Sequence, residues 1–132
     1  MGAATILLCD ETPTGERTNA IHLSLASERI TARELIERRV RTEVETHNRD
    51  GGEYYRGLVT PRDAEVALNG VRLRKKRHLD ADEQCRVACE AFERNAFFML
   101  AGDRQLEELD ETIVVTPGLE VTFVRLVPLV GG

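Results

Sequence analysis

The chain has 132 residues, enough for one domain with a core of its own. Hydrophobic residues make up 42% and charged residues 31%, a globular balance that excludes a low-complexity or disordered chain. The net charge of -5 argues against nucleic acid as the main partner, and no apolar run approaches the ~20 residues a membrane span needs.

The opening residues carry no basic stretch and soon reach Asp10 and Glu11. They read as a first strand, Thr5–Asp10, and not as a signal peptide. Pro13 and Gly15 mark a turn. Ile21, Leu23 and Leu25 then alternate with His22 and Ser24, which predicts a strand over Asn19–Leu25 with one buried face. Two strands joined by a short turn make a hairpin. Thr31 and Glu34 have the spacing of a capping box. Behind them Ala32, Leu35, Ile36, Val40 and Val44 form a helical stripe that runs to about His47.

Residues 49–95 are less regular. Gly51 and Gly52 end the helix. Thr60 as cap, Pro61 at the first position and Gly70 past the end predict a short helix between them. Arg72–His78 reads as a basic loop, solvated or docking to an acidic partner. Asp80 or Asp82 opens a second helix to about Asn95, with Cys85, Ala88, Cys89 and Phe92 on one face. The last third returns to strands. These are Phe97–Leu100, a tight turn at Gly102, Arg104–Leu106, a connection or strand over Leu109–Val115, and Leu119–Val127 after the Pro117-Gly118 turn. The final strand has apolar residues from both ends of the chain to cover, which places it centrally, beside the first. The fold class is α+β.

No Ser-His-Asp grouping, phosphate loop or dinucleotide fingerprint occurs, so no catalytic residue is assigned. Three cysteines without framework spacing fit a reducing, cytoplasmic setting. Cys85 and Cys89 lie one helical turn apart near His78, but this is not zinc-site spacing and core packing is the expected role, with no metal. Cys9 reads as core as well, His22 as a surface strand residue, and His47 as a helix-end residue whose charged form would suit the dipole. Arginine outnumbers lysine sixteen to two (Lys75 and Lys76). Genomic bias explains this, although few amines also suit a chain whose own carboxyl group is activated.

The sequence as given ends with Val127, Pro128, Leu129, Val130, Gly131 and Gly132. Glycine lacks a Cβ and passes through slots that exclude other residues. Phe98–Gly102, Gln105–Glu107, Val121–Leu126 and the closing Gly-Gly resemble the second half of ubiquitin in order and spacing. The proline-bearing apolar tail resembles the sulfur carriers, notably the small subunit of molybdopterin synthase. Ile30–Ile36 resembles the helix start of both groups. Residues 49–95 depart from both groups, the apolar Pro128 and Val130 depart from ubiquitin, and the best resemblance is to bacterial ubiquitin-like proteins.

That resemblance implies a single ubiquitin-like β-grasp domain over 1–132, with a mixed sheet on one main helix (about 4–48 and 96–127). A mainly helical insert would fill about 49–95, and a tail 128–132. It implies a protein modifier, not an enzyme. Gly132 would be adenylated by an activating enzyme that uses ATP, passed on as a thioester to a conjugating enzyme, and joined to a target protein amine. Gly131 would supply the thin approach, and Val127, Pro128, Leu129 and Val130 the recognition of the tail. Met99, Val124 and Leu126 match ubiquitin's exposed apolar recognition patch. No cofactor is implied in the chain itself. The alternatives are a sulfur carrier forming a Gly132 thiocarboxylate and a ubiquitin-like binding module that is never conjugated.

Overall fold

The computed structural model describes residues 4–51, 54–55, 57–59, 64–67, 70–73 and 78–126, with the backbone alone at Tyr54 and in the strands of 64–67 and 70–73. Two compact units divide the chain. One comprises residues 1–33 and 92–132, the other 34–91.

In the first unit, β1 (Ala4–Glu11) and β2 (Arg17–Leu25) form the expected hairpin. Thr12 closes its turn, its Oγ1 accepting from the Glu16 amide at 3.0 Å. Two β2 residues, Asn19 and Ala20, stand opposite Cys9, and Asn19 takes a positive φ of 53°. This is a bulge, and asparagine is among the few side chains that tolerate that conformation. Here the Asn19 amide donates to Asp10 Oδ2 at 2.9 Å, fixing the bulge to the buried Asp10 carboxylate.

β3 (Arg29–Thr31) comes next. It pairs antiparallel with β9 (Thr112–Val114), a small sheet that the sequence pattern does not foretell. It holds the start of α1 (Ala32–Asp50), whose first two amides donate to Glu111 O at 3.0 Å and Leu109 O at 2.9 Å. The orphan donors of a helix start are thus satisfied by backbone carbonyls brought from far along the chain.

The main sheet has five strands in the order β2-β1-β10-β7-β8. β7 (Phe97–Ala101) and β8 (Arg104–Leu106) form a tight hairpin, and Gly102 at its turn adopts φ 60°, which favours glycine. β10 (Glu120–Arg125) lies between β7 and β1, antiparallel to the first and parallel to the second. The central position expected for the last strand is the observed one. One sheet face carries Ile6, Leu8, Leu23, Leu25, Val121, Phe123, Phe97, Met99 and Leu106, all buried. Phe97 bridges Phe92 and Phe123, with ring centroids 5.9 and 6.0 Å away.

In the second unit, α1 carries its stripe as expected: Leu35, Ile36, Val40 and Val44 are all buried. α2 (Ala81–Glu93) is capped by Asp80, whose Oδ1 accepts from the Asp82 amide at 2.9 Å. Its face of Cys85, Ala88, Cys89 and Phe92 is buried. Asn48 grips the segment before α2 with two bonds, its Nδ2 donating to Leu79 O at 3.0 Å and its Oδ1 accepting from Leu79 N at 2.8 Å.

The insert is not helical throughout. Besides α2, residues 49–95 include β4 (Tyr54–Tyr55), β5 (Ala64–Ala67) and β6 (Gly70–Leu73), an antiparallel sheet in the order β4-β6-β5. Where a short helix was expected after Pro61, Ala64–Ala67 pairs with Gly70–Leu73 instead. The alternation of Val66 with Glu65 and of Val71 with Arg72 is a strand pattern, and strand pairing overrode the cap-like Thr60-Pro61.

Candidate functional site

The sites named from sequence fall on β7, on β10 and in the segment beyond it. Gly131, Gly132 and the tail residues Val127, Pro128, Leu129 and Val130 lie outside the described residues, as do residues 74–77 of the basic run. Leu126, the last described residue, is 42% exposed. By sequence it connects the central strand to the tail.

The proposed patch of Met99, Val124 and Leu126 does not come together. Met99 stands opposite Phe123 and is fully buried, while Val124 stands opposite Phe98 on the other face of the sheet. Side chains on a strand alternate, so β7 separates Phe97 and Met99 from Phe98 and Leu100. The run Phe97–Leu100 is apolar throughout, and periodicity alone gives no phase to it.

The register builds a different apolar strip. Val124 and Phe98 form one cross-strand pair, and Leu100 lies opposite Thr122 on the same face. Leu7 shares that face one strand further on, and all four apolar side chains are only partly covered. Beside them a polar line crosses three strands. Arg17 Nη2 donates to Cys9 Sγ at 2.7 Å and to Glu120 Oε1 at 2.5 Å, and Cys9 Sγ lies 3.7 Å from Thr122 Oγ1. The bond to Glu120, then that to Cys9, raises the pKa of the Arg17 guanidinium, which stays charged. Arg125 pairs with Asp10 at 3.6 Å. The hydrogen bonds of Arg17 and the bulge at Asn19 were not read from sequence. They join residues up to 103 positions apart, and no local spacing encodes them.

Cys9, Cys85 and Cys89 form no disulfide and are buried, as expected. Burial pushes the Cys85 thiol up to about 11, so it remains protonated near neutrality. His22 is exposed on β2. Among the described residues no group of three or more His, Cys, Asp and Glu is placed to hold a metal ion. No helix among them is long and apolar enough to cross a membrane.

The second unit holds a buried polar cluster. Arg39 and Glu43, one turn apart on α1, pair at 3.1 Å with side chains 1% and 12% exposed. Glu43 Oε1 also accepts from the Leu58 amide at 3.0 Å. Tyr55 is buried against Gly57, where an added Cβ would fall 2.3 Å from its hydroxyl oxygen; only glycine fits. The Tyr55 ring meets His47 edge-on at 5.4 Å.

His47 is buried, and burial first, then the nearby His78, lowers its pKa, so the neutral ring is favoured over a dipole-stabilised cation. The unfolded chain therefore takes up a proton before the folded one does. Stability is fully present above about pH 6.5, the ordinary histidine value, and falls as the pH drops through the lower folded value. Urea unfolding at pH 7.5 and pH 5.5 reads this: the midpoint drops at the lower pH, and His47→Gln shrinks the drop. An undiminished drop in that variant assigns it elsewhere.

No family model, no curated protein and no solved structure matches the chain.

Proposed function

We propose that the chain is a ubiquitin-like β-grasp modifier whose Gly132 carboxyl group is activated and joined to an amine of a target protein. That carboxyl group is either free at the chain end or released there by processing. The observation that carries the reading is the parallel pairing of β1 with β10 at the centre of the five-stranded sheet. Along the chain the β1–β2 hairpin comes first, a helix follows it, and the β7–β8 hairpin precedes β10, the order the resemblance implies. The central strand leads by sequence into the apolar, glycine-ended tail.

A carboxylate acylates nothing by itself, because oxide is a poor leaving group. In the proposed route its oxygen attacks the α-phosphorus of ATP on an activating enzyme, and pyrophosphate leaves. A partner's thiolate then attacks the carboxyl carbon of the mixed anhydride and releases AMP. A target amine displaces the thiolate, giving an amide and a free thiol. Gly131 and Gly132 thread the narrow site, and Val127, Leu129 and Val130 seat in apolar pockets while Pro128 restrains the tail.

Intact-mass analysis after co-expression with neighbouring genes tests the proposal. The expected result is a covalent adduct to a second protein that disappears on deletion of Gly132. Exchange of one oxygen for sulfur at the same carboxyl group would establish the sulfur carrier instead, a reading favoured by Pro128 in the apolar tail. An unchanged mass alongside specific retention of a partner would establish the binding module, which the partly covered strip of Phe98, Leu100 and Val124 favours.

A further inference from the structure

We propose that the buried polar cluster of the second unit encloses a water molecule that links Tyr55 on β4 to Gln84 on α2. Both residues belong to that unit, and they are 2% and 3% exposed. Tyr55 Oη and Gln84 Nε2 are buried atoms with no hydrogen-bond partner among the described residues, and neither bonds the other. A buried donor left unmet is costly, and folded proteins meet it with another protein group or with ordered water. Glu43, Arg39 and Gln84 all act on the Tyr55 hydroxyl. Burial first, then the Glu43 charge, raises its pKa, while Arg39 and the Gln84 amide oppose the rise. The hydroxyl therefore keeps its proton near neutrality and can donate it to a hydrogen bond.

The surroundings hold these groups in place. The Tyr55 hydroxyl is tucked over Gly57, where an added Cβ would lie 2.3 Å from its oxygen, and the Tyr55 ring meets His47 edge-on at 5.4 Å. Gln84 is anchored in the first turn of α2, its backbone amide donating to Asp80 O at 3.0 Å. The donor set selects what they hold. Both orphans donate, and the oxygen of a water accepts from the two together. The hydrogens of that water need an acceptor in turn, and the Glu43 carboxylate is the one at hand. It accepts from Arg39 Nε at 3.1 Å and from the Leu58 amide at 3.0 Å, and a carboxylate offers about four acceptor sites in all. A cation is refused by the two donors, and an anion by the buried negative charge of Glu43.

The inference stands apart from activation at Gly132 and survives the failure of that proposal. Its test is the magnetic relaxation dispersion of the water oxygen, which detects water held inside a protein and is blind to the exchange of hydroxyl and amide protons. Wild type is compared with the double variant Tyr55→Phe, Gln84→Met. Those replacements keep the shape of both side chains and remove both donors, so no new unmet group is buried and the fold survives. The expected result is the loss of one long-lived water in the double variant. The control Gln105→Met, at an exposed position in the first unit, keeps the wild-type dispersion. A crystal structure of the wild type gives a second reading that needs no variant: a water oxygen bonded to both Tyr55 Oη and Gln84 Nε2. Two outcomes overturn the proposal. One is equal dispersion in the wild type and the folded double variant. The other is electron density in which Tyr55 bonds Gln84 directly.

Discussion

Replacing Glu43 with glutamine lowers the stability of the protein by about 3 kcal/mol, the low end of the cost of breaking a buried ion pair. Glu43 makes two bonds at once. One oxygen faces Arg39 Nε at 3.1 Å, the other the Leu58 amide at 3.0 Å. Glutamine retains a single acceptor oxygen. Whichever way its amide turns, its NH2 group faces a donor, either the guanidinium or the Leu58 amide. The charge is lost as well, in a place where the Arg39 side chain is only 1% exposed and water cannot replace it. The double replacement Arg39→Met with Glu43→Leu costs less than Glu43→Gln alone, because no unmatched charge is left buried. Urea unfolding followed by circular dichroism measures both. A loss below about 1 kcal/mol in the glutamine variant would mean that the pair behaves as a surface pair and that the burial assigned to it is wrong.

Truncating Phe123 to alanine costs about 3–5 kcal/mol, the range for deleting a buried aromatic side chain. Phe123 has no exposed surface and sits on the central strand of the five-stranded sheet. Its backbone position is opposite Met99 on one side and Asp10 on the other. The ladders on both sides hold those strands at fixed spacing, so the sheet does not close over the space the ring leaves. Phe97 loses its neighbour at 6.0 Å. Phe123→Leu fills most of the volume and loses less than half as much. Thermal melts of the two variants provide the comparison. Equal losses would show that ring packing, rather than volume, governs the site.

Several elements were legible because their determinants are local. The hairpin of β1 and β2 comes from alternation around a Pro-Gly turn. The stripe of α1 and the buried face of α2 come from helical periodicity, and Arg104–Leu106 from the turn at Gly102. The central position of β10 came from a count of apolar residues at both chain ends. Where local signals conflicted, the expectation failed. The sequence after Thr60-Pro61 offered both a cap and an alternation, and pairing of Ala64–Ala67 with Gly70–Leu73 settled it. The two short strands Arg29–Thr31 and Tyr54–Tyr55 are too brief for any period to register, and each exists only because a partner strand supplies its bonds.

The chain by itself determined its α+β class and the two helices among the described residues, since these rest on residue type and spacing. Only the tertiary structure decided which face each side chain of Phe97–Leu100 joins, because a run of four apolar residues carries no phase until a neighbouring strand imposes one. That register took Met99 out of the supposed patch and placed it against Phe123, and it set Phe98 beside Val124. It likewise decided the protonation preference of His47, for a helix-end position favours the charged ring but burial beside His78 favours the neutral one.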